Sequence, residues 1–184
     1  MLTLQAQRPK RRRLGSIWGH DLATTLVAEK PDYHDAIERV LDAAFGPGRY
    51  AKTSERVRER GAVAEPGLSR VALDGAKQVV GVCRIWRVRA GEVIYFLGPL
   101  AVDPAAQLAG LGLALVRDAV AACRAKGGNG IVCVGSERFF KPIGFSVVPE
   151  GRLRLPGAVD PARLLWLELA RNGLAHVQGE IGAP

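Results

Sequence analysis

The chain has 184 residues, 48% of them hydrophobic and 24% charged, which is enough for one well-buried domain and too few for two ordinary ones. That balance excludes disordered and fibrous classes, and no apolar stretch reaches membrane-spanning length, since Arg117 and Asp118 interrupt even the richest helical segment. The net charge of +8 invites a nucleic-acid partner, yet Arg8, Lys10, Arg11, Arg12 and Arg13 supply most of it, and without them 21 basic residues face 18 acidic ones. The basicity therefore belongs to an arm over residues 1–20, expected to be solvated and disordered, and nucleic acid is not the expected partner. The arm is Arg-rich and acid-poor, as organellar presequences are, but it has no convincing apolar face, and no secretory signal is visible.

In chain order, Thr24–Ala28 reads as a first strand, and Pro31-Asp32 opens a helix carrying Ala36, Ile37, Val40, Leu41 and Ala44. Asp32 suits the positive helix end, and Phe45-Gly46-Pro47-Gly48 stops the helix. The highly charged stretch Ser54–Arg60 is either a short exposed helix or plain solvated surface, with the solvated reading favoured. Residues 68–73, 78–88 and 93–102 read as three antiparallel strands, joined at Asp74-Gly75 and Ala90-Gly91. A helix follows from about Leu111 to Lys126, with Gly127-Gly128-Asn129-Gly130 ending it. The strand 131–134 comes after a helix and is expected to run parallel to its predecessor, and a last strand near 164–169 closes a mixed sheet. Trp18, Trp86 and Trp166 read as packing residues.

Cys83, Cys123 and Cys133 form no C-x-x-C pair and leave one over from any disulfide, so a reducing cytoplasm is the expected compartment. His20, His34 and His176 are scattered, and no metal site is expected.

The most informative segment is Leu100–Gly112, where a run of β-formers passes through a turn into the 111–126 helix. The first amide N–H groups of such a helix lack intrahelical partners, and the helix dipole adds roughly half a positive charge. An anion fits there without any side chain. Asp103 is expected to rigidify the turn before Pro104 by bonding its own downstream backbone. Inside the preceding strand, Gly98-Pro99 must interrupt a ladder, because proline has no N–H to give. The competing reading is an edge proline that blocks aggregation.

Read as L-x-V-x-P-x-x-Q-x-x-G-x-G, the segment Leu100–Gly112 resembles the acetyl-CoA motif of the GNAT superfamily of N-acetyltransferases. Phe139-Phe140-Lys141-Pro142-Ile143-Gly144-Phe145 resembles the second motif of that family, aromatic-x-x-x-G-F. The similarity runs from about Thr24 to Leu169, and Ala44–Thr53 and Pro156–Pro161 also resemble a bacterial subgroup of the family. The resemblance implies an α/β (α+β) fold: a mixed, mostly antiparallel sheet of about six to seven strands, flanked by helices and splayed at the strand ending near Val102. It implies a domain over residues 21–170, followed by an extension over 171–184. It also implies acetyl-CoA as co-substrate, no metal, a small-molecule or peptide amine as acceptor, and allows a homodimer.

In relatives, a bulge near the position of Gly98-Pro99 splays two parallel strands and frees backbone groups for pantetheine. Here those groups belong to Leu100 and Val102, with Ala101 between them. Gln107, Leu108, Ala109 and Gly110, followed by Leu111, Gly112 and Leu113, would supply the amides for the pyrophosphate. Ser136, Phe139 and Phe140 would complete the binding slot. The turn departs from the usual Q-G-R/K-G by having Leu108 and Ala109, which removes one charge-assisted contact. Where many relatives carry a tyrosine as general acid, four residues before Gly144, this chain has Phe140, which has no proton to give. Tyr95 and Ser136 are the candidate catalytic substitutes, a buried core tyrosine being the competing reading of Tyr95. Two functions follow: direct acetyl transfer to a primary amine, or a catalytically weak or inactive acyl-CoA-binding regulatory module in which Phe140 marks lost turnover.

Overall fold

The computed structural model describes residues 24–106 and 108–184, so the basic arm over residues 1–20 lies outside the described residues. Strand β1 (Thr25–Ala28) leads through a 3-10 turn at Pro31–Tyr33 into helix α1 (His34–Phe45). Asp32 therefore belongs to the turn before the helix. Ile37, Val40 and Leu41 recur at helical spacing and are the buried residues of α1, so this stripe is the face that meets the sheet. A second 3-10 turn (Pro47–Ala51) precedes helix α2 (Thr53–Glu59). The solvated reading of this charged stretch is corrected here: Val57 is fully buried and pins the charged turn to the core as a helix.

Strands β3 (Arg70–Leu73), β4 (Val79–Ala90) and β5 (Glu92–Val102) pair antiparallel as expected, and the short strand β2 (Val63–Ala64), absent from the sequence expectation, also pairs antiparallel with β4. The β3–β4 turn is held by Asp74, whose Oδ1 accepts from the amides of Ala76 at 2.9 Å and Gln78 at 2.8 Å. Helix α3 (Leu111–Ala125) then crosses to strand β6 (Gly130–Val134), which runs parallel to β5. The remaining elements are helix α4 (Glu137–Phe140) and strands β7 (Ser146–Val147), β8 (Leu153–Arg154), β9 (Leu164–Glu168) and β10 (Gly179–Glu180). The order β1-β3-β4-β5-β6-β9-β7, with β2 also on β4, makes an eight-stranded mixed sheet in which β5–β6 is the parallel pair.

One sheet face carries α3, whose Leu111, Leu115, Ala119 and Cys123 pack with Cys83, Ile85, Tyr95 and Leu97. On the other face α1 covers Val71, Val82 and Ala101. Beside it, Val57 of α2 covers Phe96 and Val132 together with Leu174, Val177 and Ile181. Residues 171–184 thus fold back into the core: β10 pairs with β8, and Gly182 and Arg89 exchange backbone hydrogen bonds of 3.0 Å. Burying each such aliphatic side chain contributes about 1.5–3 kcal/mol, so the extension is part of what holds the sheet closed.

Candidate active site

Strand β5 pairs with β6 only through Tyr95, Phe96 and Leu97. Next come Gly98, at φ +137, and Pro99, and opposite them the β4 partners shift: Leu97 faces Ile85 while Leu100 faces Cys83. Three steps on β5 span two on β4, which is a β-bulge. Because β5 has neighbours on both sides, Pro99 interrupts a central strand and is not an edge proline. Asp103 donates its N–H to the Val80 carbonyl at 2.9 Å, and antiparallel bonding alternates along the strand. Ala101 therefore bonds toward β4, while the backbone groups of Leu100 and Val102 point to the side that β6 has left. The indole N–H of Trp86 donates to the Gly98 carbonyl at 2.6 Å and fixes the bulge from β4.

At the end of β5, Oδ1 of Asp103 accepts from the Ala105 amide at 2.9 Å, the local bond expected of it. Gln107 lies outside the described residues. Leu108 is half-buried, whereas Ala109 and Gly110 are exposed. Gly110 takes the left-handed φ of +80 and its carbonyl accepts from Ala114 at 3.0 Å, which starts α3. The amides of Gly112 and Leu113 have no backbone acceptor among the described residues, as the first turn of a helix requires. A Cβ on Gly112 would lie 3.4 Å from the Phe139 ring and 3.9 Å from Val102. The helix start, the strand end and the aromatic ring thus converge on one point.

The gap between β5 and β6 opens into a cleft of about 540 Å³. Phe96, Gly98, Pro99 and Leu100 form its floor with Val134 of β6, and Phe140 lines it as well. The rest of its lining comes from the α1–α2 connection with the start of α2, and from the loop 158–163. Thr53 Oγ1 donates to the Ala158 carbonyl at 2.6 Å and ties these two segments together.

Four cations line the cleft. Arg49 is neutralised by Glu38 at 2.7 Å and Asp42 at 2.9 Å, and Arg58 pairs with Glu55. Glu38 also receives Arg84 at 2.9 Å, and Arg84 holds Glu29 at 3.0 Å, so α1, β4 and the α1–α2 connection share one charge network. Burial pushes the Glu38 carboxyl up, but hydrogen bonds from Arg49 and Arg84 outweigh it and hold the group below its ordinary range. Lys52 sits 3.8 Å above the Phe45 ring, and neither it nor Arg163 forms an ion pair among the described residues. Burial and then the neighbouring Arg163 charge lower the affinity of Lys52 for its proton. Asp160 is the acid of this lining, and its Oδ1 is engaged by the Ala162 amide at 3.0 Å.

The structure separates the residues considered for catalysis. Phe140 is 5% exposed, packs edge-on against Phe139 and Phe145 with centroids 4.9 and 5.1 Å away, and presses on Gly135. Ser136 is exposed, its carbonyl accepting from the amides of Phe139 at 3.0 Å and Phe140 at 3.2 Å, and it is not among the cleft-lining residues. Tyr95 is likewise absent from the lining and packs in the α3 core with its ring against Gly128. Strand alternation explains this placement, which is the competing core reading of Tyr95: Phe96 faces the cleft, so Tyr95 faces α3. Burial pushes the Tyr95 phenol up. Sequence reasoning missed Trp86 as the donor that holds the bulge, and Lys52 and Arg163 as cleft residues. They come from β4, the α1–α2 connection and the loop before β9, and no local spacing announces their meeting.

The sequence model of the Acetyltransferase (GNAT) family matches residues 34–145, more than half of the chain. Comparison with curated proteins gives no match. A GNAT family N-acetyltransferase from Escherichia coli, solved in complex with CoA, is similar with a TM-score of 0.73 at 25% identity, covering 92% of this chain and 94% of that one. A GNAT family acetyltransferase from Brucella melitensis, solved in complex with acetyl-CoA, gives 0.64 at 26% identity over 88% and 96% of the two chains. A GNAT acetyltransferase from Staphylococcus aureus shares the fold, with a TM-score of 0.59 at 14% identity over 80% and 100%. The chain belongs to the GNAT acetyltransferase family. Among the described residues, no group of His, Cys, Asp and Glu could hold a metal ion, and no helix is long and apolar enough to cross a membrane.

Proposed function

We propose that the protein is an N-acetyltransferase that moves the acetyl group of acetyl-CoA directly to a primary amine, with no acetylated enzyme. One observation carries this: the β5 backbone left open by β6 leads to the amides of Gly112 and Leu113, which have no backbone acceptor among the described residues. Similar proteins from Escherichia coli and Brucella melitensis hold CoA and acetyl-CoA. Leu100 and Val102 have backbone groups free to hold pantetheine, with Ala101 spacing them. Gly112 and Leu113 present amides to the diphosphate, the turn Leu108 to Leu111 shapes the approach, Gln107 is assigned to the same site by its place in the motif, and Phe139 and Phe140 wall the slot beside Ser136.

When bound, acetyl-CoA supplies an activated acyl carbon. The amine nitrogen forms the C–N bond as the C–S bond breaks, and the proton shed by the amine balances the one gained by the departing thiol. The chain contributes a cleft that holds the partners close and the Leu100 amide, directed into the gap, to stabilise charge developing on the acyl oxygen. Phe140 supplies no proton, a loss that costs about 10² to 10⁴ in rate where a thiolate needs one. Tyr95 has no role in this scheme. A cytoplasmic setting agrees with three buried, unpaired cysteines.

Calorimetry with CoA, followed by thiol release from acetyl-CoA across polyamines, aminoglycosides, amino acids and peptides, tests the proposal. CoA binding with turnover of at least one amine is expected. A protein that binds no CoA would end it. The regulatory-module alternative draws on the hydroxyl-free ring of Phe140 at the cleft, and tight CoA binding without turnover of any amine would favour it.

A further inference from the structure

The cleft charge points to one feature of the acceptor, an inference that rests on the acetyltransferase proposal and refines it. Arg49 and Arg58 lie among carboxylates of their own, but Lys52 and Arg163 do not. The two come from adjoining segments of the lining, the α1–α2 connection and the loop before β9, which Thr53 and Ala158 tie together. Like charges brought together in one cleft repel, and among the described residues the one acid of this lining, Asp160, which accepts from the Ala162 amide through Oδ1, offsets only one of the two charges and leaves a positive excess. Arg58 adds a buried Nη1 with no hydrogen-bond partner among the described residues. An acceptor that was only a polycation would meet this wall with repulsion.

We propose that the acceptor is an amine whose own structure carries an anion, a carboxylate or a phosphate, seated between Lys52 and Arg163 while its amino group faces the opening beside Gly98 and Leu100. The two cations bind and orient, and neither takes part in the chemistry. Charge-assisted hydrogen bonds are about twice as strong as neutral ones, so an anionic acceptor is expected to bind at least about tenfold better than its neutral analogue.

The test uses the full chain and reaction-product analogues in matched pairs: N-acetylglycine against N-acetylglycinamide, and N-acetylphosphoethanolamine against N-acetylethanolamine. Each is titrated by calorimetry with and without saturating CoA. We expect one anionic member to bind at least about tenfold tighter than its neutral partner, and the pair that shows this distinguishes carboxylate from phosphate. The preference is expected to collapse in the double variant Lys52→Gln/Arg163→Gln and to persist in Lys52→Arg, with circular dichroism confirming that both fold. Equal binding of charged and neutral members, no measurable anion binding, or a preference that survives the double substitution each overturns the inference. The CoA titration judges the acetyltransferase proposal separately, and the titrations without CoA still decide the anion question if CoA does not bind.

Discussion

Trp86 and Gly98 are joined across the β4–β5 pair by a single hydrogen bond of 2.6 Å, from the indole N–H to the glycine carbonyl. It sits where β5 loses its β6 partner, and it holds the backbone that the acyl group would approach. Trp86→Phe removes the donor and leaves that carbonyl unpaired. We expect a stability loss of about 1–3 kcal/mol together with weaker CoA binding, measured by urea unfolding and calorimetry. Unchanged CoA affinity would show that the bulge holds its shape without the indole.

Gly110 opens α3 in a left-handed conformation. An L-residue there is strained by about 1–2 kcal/mol, with open space around its Cβ. Gly110→Ala is expected to lower stability by that amount and to weaken CoA binding by re-aiming the amides that follow. A thermal-denaturation series with and without CoA measures both effects, and a variant stabilised as much by CoA as the parent would contradict the second.

Phe140→Tyr adds a hydroxyl to a ring that lines the cleft. Turnover of an amine that the parent accepts is expected to rise, by up to about 10² where leaving-group protonation is limiting. Steady-state kinetics with saturating acetyl-CoA checks this. A fall in rate would mean that the added oxygen disturbs the packing of Phe139, Phe140 and Phe145.

The three thiols are inert in the folded protein. Burial pushes Cys123 up to about 12 and raises Cys83 and Cys133 as well, so the reactive thiolate is scarce near neutral pH. A thiol reagent is expected to leave the native chain untouched and to titrate three cysteines after denaturation. Above the ordinary thiol value of 9.0 the unfolded chain sheds protons that the folded chain keeps. Stability is therefore expected to fall as pH rises from there, at roughly 1.4 kcal/mol per pH unit for each thiol.

Much of this arrangement is legible in the sequence. Helix α3 and strand β6 announce themselves by period and by the glycines between them, and Pro99 marks the broken ladder because its missing N–H is a property of the residue alone. The free strand groups of Leu100 and Val102 follow from that break. The strands β2, β7, β8 and β10 do not show, since two residues each are too few to carry a period. The α2 helix hides because one buried Val57 holds a charged segment in place. Tyr95 and Phe96 illustrate a limit of alternation: it says that they face opposite ways and not which one meets the cleft. That choice is made by α3, whose apolar stripe claims the Tyr95 face.

The shared carboxylate of Glu38 gives the cleft a sensitivity to acid. Its partners hold it below its ordinary value of 4.5, so the stabilisation they share is complete above that pH and drains away as the pH falls from there to the folded-state value. Protonation there leaves Arg49 tied to α1 by Asp42 alone, and the wall bearing Lys52 loosens while the sheet stays paired. Acid below pH 4.5 is thus expected to cost the protein its grip on the acceptor earlier than its fold, seen as weaker calorimetric binding of an acetylated acceptor analogue while circular dichroism is unchanged.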